Sequence, residues 1–308
     1  MKTRKTLFTI IAVLGIVSTF ALTSCESDDD AMEKPKNIVE VAVSNSDFST
    51  LVAALQKAEI VTALQADGPF TVFAPTNAAF NQLFTDLGVD GIDDLTKEQL
   101  TPILLYHVIG AKVKSTDLTN GYVTTLSTGT GNKNVSLKVD ATNLELNGGV
   151  GITSADINAT NGVIHVVDKV LLPPTVVDIA LDNDNFSILV SALAKAELVE
   201  TLKGDGPFTV FAPTNDAFNA LFEALDVTGI ADLTKEALTP ILLDHVVSGN
   251  VRSTDLTTGT VNTLNNSISI DVSSGVKING DINVVLADVQ GTNGVVHVID
   301  KVIVTPTK

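Results

Sequence analysis

The eleven residues DGPFTVFAPTN at positions 67–77 return unchanged at positions 205–215, which is 138 residues further along the chain. A second pair of segments, NGVIH at 161–165 and NGVVH at 293–297, is offset by 132, so the second copy lacks six residues. We expect the missing residues at the Gly-rich segment 129–132, because turns of this kind tolerate changes in length. Solenoid repeats span about 20–50 residues, so this longer period predicts two tandem domains.

The chain of 308 residues divides into four predicted segments. Residues 1–24 have the layout of a signal peptide, and residues 25–36 are predicted to be an acidic tether. The first repeated domain is placed at 37–173 and the second at 175–305, with a Pro-Pro pair between them as a short, stiff linker. Because the second copy begins directly after this linker, we expect the two domains to touch.

The first half of each copy has the periodicity of helices. In the first copy, apolar residues recur every three or four positions over 48–55 and again over 80–87, which is the spacing of one helix face. We expect Ser46 or Asp47 to cap the first of these helices and Thr76 to cap the second, because short polar side chains satisfy the free N–H groups at a helix start.

A Thr-Pro pair and the strands that follow it complete the predicted fold. Thr101-Pro102 predicts a further helix start, because Pro is tolerated in the first turn. Apolar and polar residues then alternate over 135–140, Asn147-Gly148 indicates a hairpin turn, and the β-branched run 162–172 suits a central strand. Helices followed by antiparallel strands predict the α+β class.

The composition excludes several classes of function. Asp and Glu outnumber Lys and Arg by 36 to 19, and the net charge of −17 repels the phosphate backbone of nucleic acids. The chain has no Trp, and 5% of its residues are aromatic, which disfavours a base-stacking surface. A single Cys excludes an internal disulfide and a Cys-based zinc site. We therefore expect no nucleic-acid partner.

The N-terminus is typical of a bacterial lipoprotein. Basic residues precede an uncharged, mostly apolar run over 6–24, and Cys25, the one Cys of the chain, follows directly. Residues 22–25, LTSC, resemble a lipobox, which implies a signal peptide that is cleaved and a Cys25 that is acylated. Two or more acyl chains hold a protein stably at a membrane. The alternative is an uncleaved membrane helix.

Residues 26–30, ESDDD, leave two interpretations of where the protein resides. An acidic block is usually a solvated tether. The same block, directly after a lipidated Cys, resembles the export signal of surface lipoproteins in Bacteroidetes-like bacteria. We therefore expect an outer-membrane lipoprotein that is lipid-anchored and exposed at the cell surface, with a periplasm-facing orientation as the alternative.

Two motifs in each copy resemble the signatures of the fasciclin domain. In the first copy they are FTVFAPTNAAF at 70–80 and NGVIHVVDKVL at 161–171. In the second copy they are FTVFAPTNDAF at 208–218 and NGVVHVIDKVI at 293–303. Residues 104–108, LLYHV, resemble the Tyr-His segment of the family. The resemblance implies two tandem fasciclin domains, each a β-wedge or sandwich of antiparallel strands packed against several short helices.

No enzyme motif is present in the sequence. It contains no G-x-S-x-G nucleophile elbow, no H-E-x-x-H zinc motif and no Gly-rich phosphate loop. The four His form two equivalent pairs, His107 with His165 and His245 with His297, which we interpret as core residues rather than metal ligands. Residues 182–185, DNDN, resemble half a calcium loop but are interpreted as a helix-capping loop. We predict no enzyme activity, no cofactor and no metal.

The fasciclin resemblance also implies candidate ligand contacts. In animal members of the family, an Asp-Ile pair before the second signature and the Tyr-His segment are associated with integrin binding. The matching residues are Asp156 and Ile157, Asp288 and Val289, Tyr106 and His107, and His245, with Asp244 in place of the second Tyr. A bacterium has no integrins of its own, so the animal ligand does not transfer. Burial or capping is the alternative role for these residues.

The family contains extracellular adhesion proteins, so we expect a non-catalytic, lipid-anchored protein that acts in adhesion or matrix contact. Its partner would be a surface protein or a polysaccharide. The alternative is a glycan-binding accessory lipoprotein of a polysaccharide-uptake system, and a hydrolase is disfavoured. An exposed groove lined by Tyr106 or Tyr122 would favour the glycan, whereas a flat exposed apolar patch would favour a protein partner.

Overall fold

The computed structural model describes residues 34–304. Of these, residues 35–304 belong to one compact unit that contains both repeated copies. The predicted signal peptide, Cys25 and the acidic residues 26–30 lie outside the described residues. Among the residues that are described, no helix is both long and apolar enough to cross a membrane.

The first copy places most of its helices before its long strands. The α-helices are α1 (Ile38–Val43), α2 (Ser49–Lys57), α3 (Val61–Leu64), α4 (Asn77–Leu87) and α5 (Lys97–Tyr106). The strands are β1 (Phe70–Pro75), β2 (Val108–Ile109), β3 (Gly121–Thr128), β4 (Asn134–Asp140), β5 (Glu145–Leu146), β6 (Val150–Ala159) and β7 (Gly162–Val167). Single 3-10 turns lie at Ser46–Phe48, Ile92–Asp94, Ser115–Asp117 and Thr130–Asn132.

The second copy repeats this order of elements. Its α-helices are α6 (Val176–Leu181), α7 (Ser187–Lys195), α8 (Val199–Lys203), α9 (Asn215–Leu225) and α10 (Lys235–Asp244). Its strands are β8 (Phe208–Pro213), β9 (Val246–Ser248), β10 (Gly259–Asn262), β11 (Ser267–Asp271), β12 (Lys277–Ile278), β13 (Ile282–Gln290) and β14 (Gly294–Ile299). Its 3-10 turns lie at Asp184–Phe186, Ile230–Asp232 and Ser253–Asp255.

The strands of each copy form one seven-stranded mixed sheet. The order is β2-β1-β7-β6-β5-β4-β3 in the first copy and β9-β8-β14-β13-β12-β11-β10 in the second. The α+β class is confirmed, but the prediction of antiparallel strands is wrong for the central pair. β1 and β7 run parallel, with Phe73 opposite His165, and so do β8 and β14. Parallel neighbours need a long crossover, and here most of the domain lies between the two strands.

The first sheet curls around a core of its own, and helices pack on its other side. β2 and β3 stand at opposite ends of the strand order and yet contact each other. Phe73, Leu137 and Leu146 fill the space inside this curl, and Phe48 and Phe80 lie in the separate core beneath the helices. The second copy repeats both cores, so each copy is a wedge of strands covered by short helices.

The Asn-Gly pair of the second signature joins the helices to the central strands. The Asn161 side chain accepts a hydrogen bond from the N–H of Ile38 (3.0 Å) and donates to two carbonyls at the end of α3 (2.8 Å each). The next residue, Gly162, has to be glycine, because a Cβ at this position would lie 2.1 Å from the carbonyl oxygen of Phe70. Asn293 makes the same three bonds in the second copy.

Of the two predicted helix caps in the first copy, one is confirmed and the other is wrong. Thr76 caps α4 as predicted, because its hydroxyl accepts a hydrogen bond from the N–H of Ala79 (3.2 Å). The predicted cap before α2 is wrong. Asn45 accepts from the N–H of Asp47 (3.0 Å) and begins a 3-10 turn that leads into α2.

The predicted helix start at Thr101-Pro102 is also wrong, because Pro102 lies inside α5. The helix begins at Lys97, where Thr96 and Gln99 form a capping box with hydrogen bonds of 3.3 and 2.8 Å. A capping box satisfies the free N–H groups of the first turn. It therefore starts the helix earlier than the Pro, and the second copy likewise has a Pro inside α10.

Residues 129–132, where the second copy is shorter, contact the second domain. The N–H of Thr130 donates to the carbonyl of Thr292 (2.8 Å), and a Cβ on Gly129 would lie 2.5 Å from the carbonyl oxygen of Gly291. β3 has eight residues and β10 has four, so the missing residues lie in this hairpin, as predicted. The two domains touch, and this turn forms part of their contact.

Candidate functional site

The Asp-Ile pair that the resemblance singles out lies on β6, at an irregularity in its pairing with β7. Asp156 has a left-handed backbone, with φ of 63°. Its carboxylate accepts hydrogen bonds from the hydroxyl (2.5 Å) and the backbone N–H (2.9 Å) of Ser115. These two bonds hold the pKa of Asp156 below its usual value. The carboxylate therefore holds the 3-10 turn Ser115–Asp117 against the sheet.

A buried histidine fixes the backbone beside this carboxylate. The N–H of Asp156 donates to Nδ1 of His165 (3.3 Å), and Nε2 of His165 bonds the carbonyl of Val113 (2.9 Å). Nδ1 is therefore the acceptor and Nε2 the donor, which is a neutral tautomer. The imidazole is fully buried against the ring of Phe73, with 5.6 Å between centroids. Both ring nitrogens are occupied by the backbone.

The second copy builds the same arrangement around Asp288, with Arg252 where the first copy has Lys114. Asp288, with φ of 66°, accepts hydrogen bonds from the N–H (2.8 Å) and hydroxyl (2.6 Å) of Ser253, and its own N–H donates to His297 Nδ1 (3.3 Å). Nε of Arg252 lies 3.7 Å from the carboxylate. Burial raises the pKa of Asp288, but the bonds from Ser253 and the charge of Arg252 outweigh it, so that pKa lies below its usual value.

The apolar member of each pair points toward the protein interior. Val289 is 2% exposed and lies in the core beneath the helices of the second copy. Ile157 is partly buried and packs against the matching core of the first copy. These two side chains therefore contribute packing area to the domains, and the partly exposed surface of the second pair comes from Asp288.

The Tyr-His segment at the end of α5 lies inside the first domain, where Tyr106 is 0% and His107 2% exposed. The hydroxyl of Tyr106 donates to the carbonyl of Ser136 (2.9 Å) and accepts from the amide of Asn147 (2.9 Å). Burial raises the pKa of Tyr106 above its usual value. In this fold a ligand at the surface does not reach either side chain, and the structure assigns them structural contacts.

The histidines that follow α5 and α10 tie each helix end to the last segment of its domain. Nδ1 of His107 bonds the carbonyl of Ile103 (2.8 Å), and Nε2 accepts from the N–H of Leu171 (2.9 Å). His245 is 2% exposed and makes the equivalent bonds (2.8 and 2.9 Å). Burial lowers the pKa of both histidines to about 4. Both are therefore neutral, structural groups at neutral pH.

Asp244 takes the place of the buried tyrosine in the second copy and is itself 2% exposed. Its carboxylate accepts hydrogen bonds from Thr263 (3.2 Å), Asn265 (3.1 Å) and Asn266 (3.3 Å). All three donors come from the shortened hairpin that follows β10. Because a buried carboxylate is costly without such donors, the shorter hairpin and the Tyr-to-Asp difference belong together.

Tyr122 and the DNDN loop meet at the contact between the two domains. The hydroxyl of Tyr122 lies 3.5 Å from the amide of Asn183, and its ring packs against the core of the second copy. Neither Tyr122 nor the buried Tyr106 presents an open aromatic surface to a sugar. Asn183 accepts from the N–H of Asn185 (3.2 Å) and caps the 3-10 turn Asp184–Phe186, which confirms the helix-capping interpretation.

The contacts of the site hold the backbone in place. Ser115 and Ser253 donate to the carboxylates that also accept their backbone N–H groups, and all four histidines bond the backbone through both ring nitrogens. Across residues 34–304, no three His, Cys, Asp or Glu side chains are placed to hold a metal ion.

A family model for the fasciclin domain matches residues 46–173 and 184–305. The chain belongs to the fasciclin family. Each matched segment contains one of the seven-stranded mixed sheets, so the predicted resemblance is confirmed for both copies of this fasciclin protein.

Several known proteins are similar to this fasciclin chain. Protein sll1483 of Synechocystis is 42% identical over 50% of this chain and 81% of its own length. Periostin of Homo sapiens is 31% identical and transforming growth factor-beta-induced protein ig-h3 of Sus scrofa 29% identical, each over 78% of this chain. This chain spans only 29% and 35% of those two proteins. A FAS1 domain pair of the insect cell adhesion molecule Fasciclin I aligns with a TM-score of 0.45 at 22% identity, covering 82% of this chain and 92% of that one.

The partners of the two aspartates are residues that sequence reasoning did not single out. Ser115 and Ser253 each begin a Ser-Thr-Asp triplet, at 115–117 and 253–255. The triplet recurs at equivalent places in both fasciclin domains, and this repetition is the signal that marks a shared contact. The aspartate that each triplet contacts, however, lies on a strand that is far away in the sequence.

Proposed function

We propose that this fasciclin protein is a non-catalytic adhesion or matrix-contact protein, held at the outer membrane by a lipid on Cys25. The observation that carries the proposal is the presence of two complete fasciclin domains. The resemblance to the fasciclin family implies extracellular adhesion, and membership of the family supports that role. The hydrogen bonding of all four histidines to the scaffold is consistent with binding rather than catalysis.

A binding screen tests this role. Residues 35–304 belong to one compact unit. A soluble fragment of residues 35–308 is screened against matrix proteins, exopolysaccharides and whole cells. Saturable binding to a matrix protein or to cells would support adhesion. Binding confined to polysaccharides would favour the alternative, a glycan-binding accessory lipoprotein. The burial of Tyr106 and the packing of Tyr122 against the second domain do not support that alternative. Turnover of an ester or glycoside substrate would contradict a non-catalytic role.

The lipid anchor rests on the position of Cys25 directly after an apolar run. Cys25→Ala should release the protein from membranes, because acyl chains and not a protein helix would hold it there. Ser24→Ala is the matched control, since it keeps the Cys. Membrane association of Cys25→Ala that survives a carbonate wash would instead support an uncleaved N-terminal helix.

Display at the cell surface is a separate part of the proposal and rests on the acidic residues after Cys25. Replacing Ser27 and residues 28–30 by Ala should leave lipidation intact but retain the protein on the periplasmic side. Protease added to intact cells measures the difference. Equal cleavage of the variant and the wild type would indicate that the acidic block is only a tether and not an export signal.

A further inference from the structure

A cleft of about 340 Å³ lies between the two fasciclin domains, beside the linker that joins them. Its first wall is apolar and includes Val150, Val170 and Leu172. The opposite wall comes from the second domain, with Asp178 on α6 and Asp182 directly after that helix. The volume is within the range of about 300–1,000 Å³ typical of small-molecule sites, and such sites occur preferentially between domains.

The two carboxylates of the acidic wall differ in their bonding. Asp178 accepts from the N–H (3.0 Å) and hydroxyl (2.6 Å) of Thr175 and lies 3.3 Å from Nζ of Lys203. No described residue donates a hydrogen bond to the carboxylate of Asp182. Nζ of Lys138 is nearby, but it donates to the backbone carbonyl of Asp182 (2.6 Å). The half-buried Asp182 carboxylate is thus without a donor of its own.

Burial raises the pKa of Asp182 to about 6, and the charge of Asp178 raises it further against the opposing effect of Lys138. A carboxylate in this situation gains most from a ligand that brings a positive charge and several N–H donors. The negative field of a chain with net charge −17 attracts such a ligand.

The walls of the cleft are held in place by contacts between the two domains. The residue of the first copy that is equivalent to Asp182 is Ser44, so the first copy has no carboxylate at this position. Next to the lining residue Asn147, a Cβ on Gly148 would lie 2.8 Å from the carbonyl oxygen of Asp182. This close backbone contact and the turn 129–132 described above hold the two domains together at the cleft. The site is therefore formed before a ligand arrives.

We propose that this interdomain cleft binds a primary ammonium group on an aliphatic chain. The ammonium group lies against the carboxylate of Asp182, and the chain lies along Val150, Val170 and Leu172. The ammonium supplies the missing donors, and the methylene groups leave water for an apolar wall. A free alkylamine and the lysine side chain of a partner protein share this chemistry. The proposal does not depend on the adhesion role.

Calorimetric titration of the full chain with hexylamine, at pH 7.5 and low salt, tests the site. Binding should saturate at one amine per chain, and 1-hexanol should bind at least about tenfold more weakly, because it lacks the charge. At pH 5 the affinity for hexylamine should fall about tenfold, because a group with a pKa of about 6 is then roughly nine-tenths protonated. Hexanol that binds as tightly as hexylamine would overturn the proposal.

A lysine peptide distinguishes the two sources of the ammonium group. Gly-Lys-Gly that binds with an affinity similar to hexylamine would assign the site to lysine side chains. Binding of hexylamine alone would assign it to free amines. No heat of binding from either compound at concentrations up to the millimolar range would overturn the proposal.

Two variants and a matched control locate the binding. Asp182→Asn should weaken hexylamine binding at least about tenfold, whereas Asp184→Asn, an exposed carboxylate outside the cleft lining, should leave it unchanged. Leu172→Ser changes a side chain that is 48% exposed, so it preserves the fold and should weaken the binding of hexylamine several-fold. Equal losses in Asp182→Asn and Asp184→Asn would show that net charge alone attracts the amine, and the site would be refuted.

Discussion

Replacing Asp288 by Ala should destabilise the second domain rather than remove a ligand contact. The substitution deletes both acceptors used by Ser253 (2.8 and 2.6 Å) and the partner of Arg252, and it leaves an Ala at φ of 66°. The N–H and hydroxyl of Ser253 are partly buried and lose their acceptor. The turn Ser253–Asp255 is then no longer held against β13.

The size of the effect follows from these contacts. Hydrogen bonds to a charged acceptor contribute about 1.5–3 kcal/mol, and a left-handed backbone costs Ala about 1 kcal/mol. The Asp288 side chain is 19% exposed, so solvent offsets part of the loss. We expect the free energy of unfolding of the second domain to fall by about 2–4 kcal/mol.

Two further substitutions separate the causes. Asp288→Asn keeps an acceptor and a residue that tolerates the left-handed region, so it should cost least. Asp288→Gly loses the same hydrogen bonds as Asp288→Ala, but Gly tolerates the left-handed backbone. Its loss of stability should therefore lie between those of Asp288→Asn and Asp288→Ala. Asp205→Ala is the control, because it removes an exposed carboxylate that no described hydrogen bond involves and should stay within about 0.5 kcal/mol.

Urea melts of the fragment 35–308, followed by far-UV circular dichroism because the chain has no Trp, measure these differences. The same variants are scored for attachment to the ligand found in the binding screen. Normal melting of Asp288→Ala together with lost attachment would refute the scaffold role and restore Asp288 as a ligand contact. The same comparison applies to Asp156, for which we expect a loss of stability in the same direction.

Three further predictions concern other parts of the protein. His107 and His245 have a pKa of about 4 when folded and about 6.5 when unfolded, so the unfolded chain binds more protons below pH 6.5. The contribution of these two histidines to the free energy of unfolding should be complete above that pH. It should fall toward pH 4 by at most about 1.4 kcal/mol per pH unit for each histidine, as urea melts across pH would show. Gly162→Ala places a Cβ 2.1 Å from a carbonyl oxygen on β1 and should cost the first domain about 3 kcal/mol in the same melts, whereas Gly91→Ala, with nothing within 4 Å, should be neutral. Gly129→Ala should loosen the contact between domains, so that calorimetry resolves two melting transitions further apart than in the wild type; an unchanged profile would show that the turn contributes little.

The sequence was sufficient where the decisive contacts are local. Thr76 and the N–H it accepts from are three residues apart, and Asn147-Gly148 lies within the hairpin that it closes. The Pro102 prediction failed for the same kind of reason, because a stronger local signal, the capping box at Thr96, starts the helix earlier.

Sequence reasoning found the position of the candidate site but not its role. The pairs beginning at Asp156 and Asp288 were identified through resemblance to animal proteins. The structure shows that each Asp bonds a serine more than thirty residues away in the chain. Burial of Tyr106 and His245 likewise depends on packing between elements that periodicity alone does not pair.

By itself, the sequence determined that the protein contains two copies of one domain, that each copy is of the α+β class, and that both resemble fasciclin domains. Repeats, periodicity and signature motifs are written in the order of the residues, so they are readable without coordinates. Only the tertiary structure decided that β1 and β7 run parallel, that the candidate aspartates hold turns of the scaffold, and that Asp182 faces a cleft without a donor. These features depend on distances between segments far apart in the chain, and no local pattern encodes those distances.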